Sequence, residues 1–133
     1  MKYEGHILIL SVALLLSRSS LYAHHSFAAE YDSDKAVVVS GTVTKVEWTN
    51  PHVHFYVDVK NDHGEVVNWN IELGPPLILR HLGWRQDSLK AGDQVTIEGY
   101  MAKDHSSVAN AKKVTLADGR SVFAGSSAEK RAE

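Results

Sequence analysis

Apolar and polar residues alternate along most of the chain from residue 37 onward, the two-residue period of strands with one face in a core and one in water. Between Val37 and Trp48 (VVVSGTVTKVEW) the alternation runs around Gly41, which predicts a long strand bent by a bulge or tight curve. Thr49, Asn50 and Pro51 supply a turn. His52 to Lys60 (HVHFYVDVK) then puts Val53, Phe55, Val57 and Val59 on one face and His52, His54, Tyr56 and Asp58 on the other. Asn61-Asp62-His63-Gly64 closes a hairpin, and Glu65 to Leu73 returns with Val67, Trp69, Ile71 and Leu73 inward and Val66, Asn68, Asn70 and Glu72 outward.

The rhythm breaks at Gly74-Pro75-Pro76, and residues 76–82 have the composition of a short helix, with proline in the first turn and Gly83 at the end. Trp84 to Ala91 connects to a Gly92-Asp93 turn. Gln94 to Ala102 forms a fourth strand with Val95, Ile97, Gly99 and Met101 inward, Val108 to Leu116 a fifth, and Asp118-Gly119 turns into a short piece over Arg120 to Phe123. The expected class is all-β with one short helix. A generic antiparallel sandwich fits the alternation too, but three strands, a helix and two strands is the order of a small five-stranded Greek-key barrel of the oligonucleotide/oligosaccharide-binding (OB) type. That barrel is expected over residues 37–124, with a flexible tail over 125–133.

The N-terminus follows another pattern. Ile7 to Leu16 (ILILSVALLL) is unbroken apolar chain behind Lys2, and the polar residues after it lead to Leu21-Tyr22-Ala23, so residues 1–23 read as a signal peptide. The run is about ten residues, too short for a bilayer, which predicts a periplasmic or secreted protein without a membrane anchor. Ser26 and Ala28 also satisfy the small-residue rule for cleavage, so a cut after Ala28 stays open. Residues 24–36 show no period and read as an irregular lead-in, with Phe27 and Tyr31 as candidate anchors onto the barrel.

Composition narrows the classes. The chain carries 14 basic and 16 acidic residues, and cleavage after Ala23 moves the net charge from −2 to −3. Nucleic acid is therefore disfavoured as a partner, because binding phosphates requires concentrated positive charge and no Lys/Arg stripe is present. The chain has no cysteine, so an exported form rests on packing and not on disulfides.

The words HHSFAAEYD, GTVTKVEWTNPH, FYVDV, NWNIELG, LGWRQDSLKAGDQVTIEGY, AKD and TLADGR, in this order, resemble those of a bacterial family of small exported proteins, the domain-of-unknown-function family 6152. The resemblance covers nearly all of the chain after the signal peptide and implies an exported, barrel-like domain without assigning an activity. His24, His25, Phe27, Trp48, Asn50, Pro51 and His52 match the family's words. His54 stands where the family suggests an aromatic such as Trp, and His105 where it suggests Gly.

Two groups of residues carry candidate chemistry. Trp48, Asn50, His52, His54, Tyr56, Asn68, Asn70 and Glu72 place rings, amides and a carboxylate around the outward face of the second and third strands, the face this fold often uses for ligands. Such a set suits a small polar ligand or an envelope protein partner. The second group is metal-ligating: cleavage after Ala23 would leave His24 with a free α-amino nitrogen beside its own ring, followed by His25, a set that with His52 suits Cu(II). No pair among Asp32, Asp34, Glu47, Asp58 and Glu72 is placed to divide acid and base roles, and Asp104-His105-Ser106 resembles a catalytic triad only in spelling. The expectation is a non-enzymatic binding module of the bacterial envelope, with transition-metal binding as the alternative.

Overall fold

The computed structural model describes residues 27–126. One helical turn, α1, spans residues 27–30, followed by β1 (Tyr31–Glu47), β2 (His54–Lys60), β3 (Val66–Glu72), α2 (Pro76–His81), β4 (Gln94–Ala102), β5 (Val108–Leu116) and β6 (Ser121–Phe123). β1 pairs antiparallel with both β2 and β4, β2 with β3, and β4 with β5; a parallel pairing of Asn70–Glu72 with Val108–Asn110 then closes the ring. The five-stranded order β1-β2-β3-β5-β4, with a helix between the third and fourth strands, is the OB barrel. β6 lies outside the ring, paired with the C-terminal half of β5.

β1 serves two neighbours in succession. Residues 36–42 pair with β4 and residues 42–47 with β2, and Gly41 sits at this corner. A Cβ there would lie 2.1 Å from the Asp58 carbonyl oxygen, so only glycine permits the close approach of β1 to β2. Of the bulge or tight curve expected around Gly41, the curve is at Gly41 itself, and a bulge follows between Val43 and Lys45. It shifts the strand's phase, so Val46 and Trp48 join Val39 and Val43 on the core side while Lys45 and Glu47 turn outward.

The core gathers Val43, Val53, Phe55, Val57, Ile71, Leu73, Ile97 and Val114, all nearly inaccessible. α2 contributes Leu79, fully buried in the same cluster. Pro76 opens this helix, and Gly83, at φ 93°, ends it.

Both margins of the domain depart from expectation. The lead-in read as irregular is helical at residues 27–30 and β-paired from Tyr31, where Tyr31 meets Ala102; Asp32 to Lys35 form an exposed, mostly polar irregularity that hides the strand from a period count. Phe27 packs against Tyr31 and Tyr100, with ring centroids 5.4 Å and 5.7 Å away. With Ala102 and Val108 they form a second small apolar cluster outside the barrel. At the other end, the first residues of the expected tail are held: Gly74 donates to Ala124, and Ser126 is buried with its hydroxyl 2.5 Å from Asn110 Oδ1. Among the described residues no helix is long and apolar enough to cross a membrane.

Candidate functional site

Strand register lays the outward side chains of β1, β2 and β3 in rows. Glu47, His54 and Glu72 form one; Lys45, Tyr56 and Asn70 the next; Thr42, Asp58 and Asn68 the third. Closure of the barrel extends the first row, since Glu72 stands opposite Asn110 of β5. Neighbouring side chains hydrogen-bond along and across the rows. His54 Nδ1 lies 2.9 Å from Asn70 Oδ1, Asn68 donates to Asp58 at 2.7 Å, and the Tyr56 hydroxyl donates to Glu47 at 3.1 Å. Lys45 pairs with Glu47 and stands 5.5 Å from the centre of the Tyr56 ring.

The end of this face nearest the N-terminal segment is different in kind. Glu72 points away from the barrel core, as its alternation with Ile71 and Leu73 requires, yet it is only 8% exposed because the second apolar cluster covers it. Its expected place on a wet face is corrected accordingly. A buried carboxylate is costly unless donors surround it. Here three do: the Tyr31 hydroxyl reaches Oε2 at 2.7 Å, and His52 Nδ1 and the Asn110 amide reach Oε1 at 3.1 Å and 3.3 Å. Ser126 extends the chain through Asn110.

The electrostatics follow from this packing. Burial pushes the Glu72 carboxyl up, but the hydrogen bonds from His52 and Tyr31 outweigh it and hold the group below its ordinary value. His52 is raised, chiefly by its hydrogen bond to Glu72 and against a smaller opposing effect of burial. Tyr31 is pushed far up, first by burial and then by the adjacent carboxylate, so it remains a donor throughout the working range.

The structure therefore brings together His52, His54, Tyr56, Asn68, Asn70 and Glu72 of the expected set. Trp48 does not join them. It packs against the barrel core because of the bulge at Thr44, and its indole N–H is buried without a hydrogen-bond partner among the described residues. Asn50 is exposed in the β1–β2 connection, joined to Pro51 by a cis peptide bond, and outside the ladder of paired strands. His24 and His25 lie outside the described residues.

Tyr31, Asn110 and Ser126 were not among the expected site residues. Tyr31 and Asn110 reach Glu72, and Ser126 reaches Asn110, through the β3–β5 closure and the packing of the segments around Tyr31 and Ser126, which leave no local signal. A cleft beside the network, between α1 and the β4–β5 turn, is lined by Glu30, Tyr31, Ala102, Lys103, Ser106 and Val108. In that turn Ser106 donates to Asp104 at 2.6 Å while the His105 ring faces Lys35, so Asp104, His105 and Ser106 do not form a relay.

A comparison with curated proteins gives no match. Among solved structures, the mitochondrial single-stranded DNA binding protein Rim1 of S. cerevisiae is similar, at 13% identity and a TM-score of 0.49, over 62% of this chain and 93% of that one. The family of unknown function DUF6152 matches residues 12–111, well over half of the chain, and the chain belongs to that family.

Proposed function

We propose that this DUF6152 protein is an exported, non-enzymatic binding module of the bacterial envelope that takes its ligand on the outward face of β2 and β3. What supports the reading is the register itself: His54, Tyr56, Asn68 and Asn70 stand at fixed cross-strand positions, so amide, imidazole and phenol groups are pre-arranged before any ligand arrives. Each of the first three strands contributes to this surface. Small polar molecules are the ligand class such a set suits, since planar amides and a ring offer hydrogen bonds and a stacking surface together.

Export rests on the apolar run Ile7 to Leu16 and the small-residue cleavage site at Ala23. The net negative charge argues for partners other than nucleic acid.

Amide chemical shifts in a nitrogen-15 labelled sample, titrated with a panel of sugars, amino acids and dicarboxylates, test the proposal. Saturable shifts confined to β2 and β3 are expected, and Tyr56→Ala with Asn70→Ala should remove them. Shifts that centre elsewhere on the barrel would move the site.

A further inference from the structure

The backbone of β1 shows which way its hydrogen-bonding groups point. Val43 donates to the Asp93 carbonyl and accepts from the Gly92 amide, both at 2.8 Å, so its groups face the β4 side of the strand. Successive residues of an extended strand turn these groups to opposite edges. Val37, Val39 and Gly41 therefore bond toward β4, while Ala36, Val38, Ser40 and Thr42 turn theirs to the other edge. On that edge β2 reaches only as far as Thr42, which pairs with Asp58, and among the described residues no strand pairs with Ala36, Val38 or Ser40 there. Each of the three leaves an N–H and a C=O along the edge.

The side chains suit this edge to a partner. Ala36, Val38 and Ser40 point outward and are exposed, and Val38, at 66%, is the most exposed large apolar side chain of the described residues. Folded proteins blunt a free edge with a charge, a proline or a bulge. Ala36 to Gly41 (AVVVSG) contains neither charge nor proline, and the irregularities of β1 lie to either side, between Tyr31 and Ala36 and between Val43 and Lys45.

We infer that this edge is an interface between two copies of the chain, in which residues 36–40 pair antiparallel with the same residues of a second copy about a twofold axis at Val38. The occupant follows from symmetry. The free groups are spaced evenly about Val38, so Val38 exchanges both hydrogen bonds with the partner's Val38, and Ala36 does so with the partner's Ser40. One pairing then meets every free group on both edges. The axis sets two β-branched apolar side chains against each other on the outer face, a favourable cross-strand pair. The nearest charge, Lys35, falls opposite the partner's Gly41, so no like charges meet. Both copies use the same edge, and the contact closes at two. Five paired residues cover much less than the roughly 1,200 Å² of a standard interface, which makes the dimer reversible and dependent on concentration. This interface is separate from the ligand face of β2 and β3 and does not rest on it.

Sedimentation velocity on protein expressed from the full sequence should show the mass rising from one chain to two as concentration increases. Over the same range amide exchange, followed by NMR, should slow at Ala36, Val38 and Ser40 and stay unchanged at Val37 and Val39, which already face β4. Val38→Lys sets two ammonium groups against each other at the axis and should lose the dimer, while the exposure of Val38 keeps the monomer folded. Register is read by cross-linking, since the chain has no cysteine of its own. Hydrogen-bonded antiparallel partners have Cα atoms about 5.5 Å apart, within the range of a disulfide. Under mild oxidation Val38→Cys should therefore cross-link to its own copy. Ala36→Cys and Ser40→Cys should each remain single alone and cross-link when mixed.

A protein that stays monomeric at millimolar concentration overturns the inference. So does a dimer that Val38→Lys leaves intact, because it uses another surface. Cross-linking of Ser40→Cys to itself as readily as Val38→Cys overturns the twofold at Val38. A chain that remains monomeric but binds a synthetic peptide of residues 35–41 would give the edge to a foreign strand instead of a second copy.

Discussion

The Tyr31 hydroxyl and the Glu72 carboxylate meet at 2.7 Å although 41 residues separate them, and the contact ties the N-terminal segment to the outside of the barrel. Both groups are buried, and the bond has a charged acceptor, so it belongs to the stronger class of protein hydrogen bonds. Tyr31→Phe keeps the ring packing with Phe27 and removes only this donor. The expected cost is about 2 kcal/mol in a urea melt, the penalty for leaving a buried charged oxygen short of a partner. A midpoint equal to that of the parent would show that Glu72 does not depend on Tyr31.

The His52–Glu72 pair makes stability depend on pH with a definite sign. Glu72 is lowered from 4.5, so its contribution is present above that value and is lost as pH falls through the depressed folded value. His52 is raised from 6.5, so its contribution is complete below 6.5 and is lost as pH rises through the elevated one. The protein should therefore have its highest melting temperature between about 4.5 and 6.5. In Glu72→Gln the decline above 6.5 should flatten; a decline of the same size would assign it to other groups.

Gly41→Ala should be among the more damaging single-methyl additions to the barrel. The new Cβ would stand 2.1 Å from the Asp58 carbonyl oxygen and 2.8 Å from Val57 Cγ1, and the first of these is backbone of the paired strand. The corner must open to admit it, at a cost of about 3 kcal/mol. Guanidinium denaturation measures it. A loss under 1 kcal/mol would mean that β1 and β2 separate easily at this point.

The faces of β2 and β3 were legible because each strand alternates without interruption, so Val57 and Ile71 could be set inward and Tyr56 and Asn70 outward from period alone. The helix was legible from Pro76 and Gly83, two residues with fixed backbone preferences. Trp48 was misplaced because one extra residue at Thr44 reverses the phase of β1, and nothing in GTVTKVEW marks which residue is extra. The burial of Glu72 was hidden for another reason. It depends on Tyr31, Asn110 and Ser126 arriving from three distant segments, and Asp32 to Lys35 interrupt the alternation that would have extended β1 to Tyr31.

Single-stranded oligonucleotides should not bind at physiological ionic strength. The chain carries 14 basic against 16 acidic residues, and on the β2–β3 face Lys45 is already paired with Glu47 beside Asp58 and Glu72. Affinity for a phosphate backbone comes chiefly from cations that release counterions, and this face presents few. Fluorescence anisotropy with labelled single strands is the check. Micromolar binding that weakens steeply with added salt would overturn both the charge argument and the choice of ligand class.

Two tryptophans offer a paired test of how the core treats indole N–H groups. Trp84 is buried and donates to the Phe123 carbonyl at 2.8 Å, fastening α2's following segment to β6. Trp48 packs on the same core with its N–H buried and no partner among the described residues. Replacement by phenylalanine deletes the same atoms at either site, but only at position 84 does it strand a carbonyl that had a donor. Removing an unpaired buried donor relieves a desolvation penalty of about 1–3 kcal/mol, which offsets the lost packing. Trp48→Phe should accordingly stay within about 1 kcal/mol of the parent, while Trp84→Phe loses at least 1 kcal/mol more than it does. Equal losses in parallel urea melts would mean that the Trp48 N–H is satisfied in solution, by water or by a residue outside 27–126.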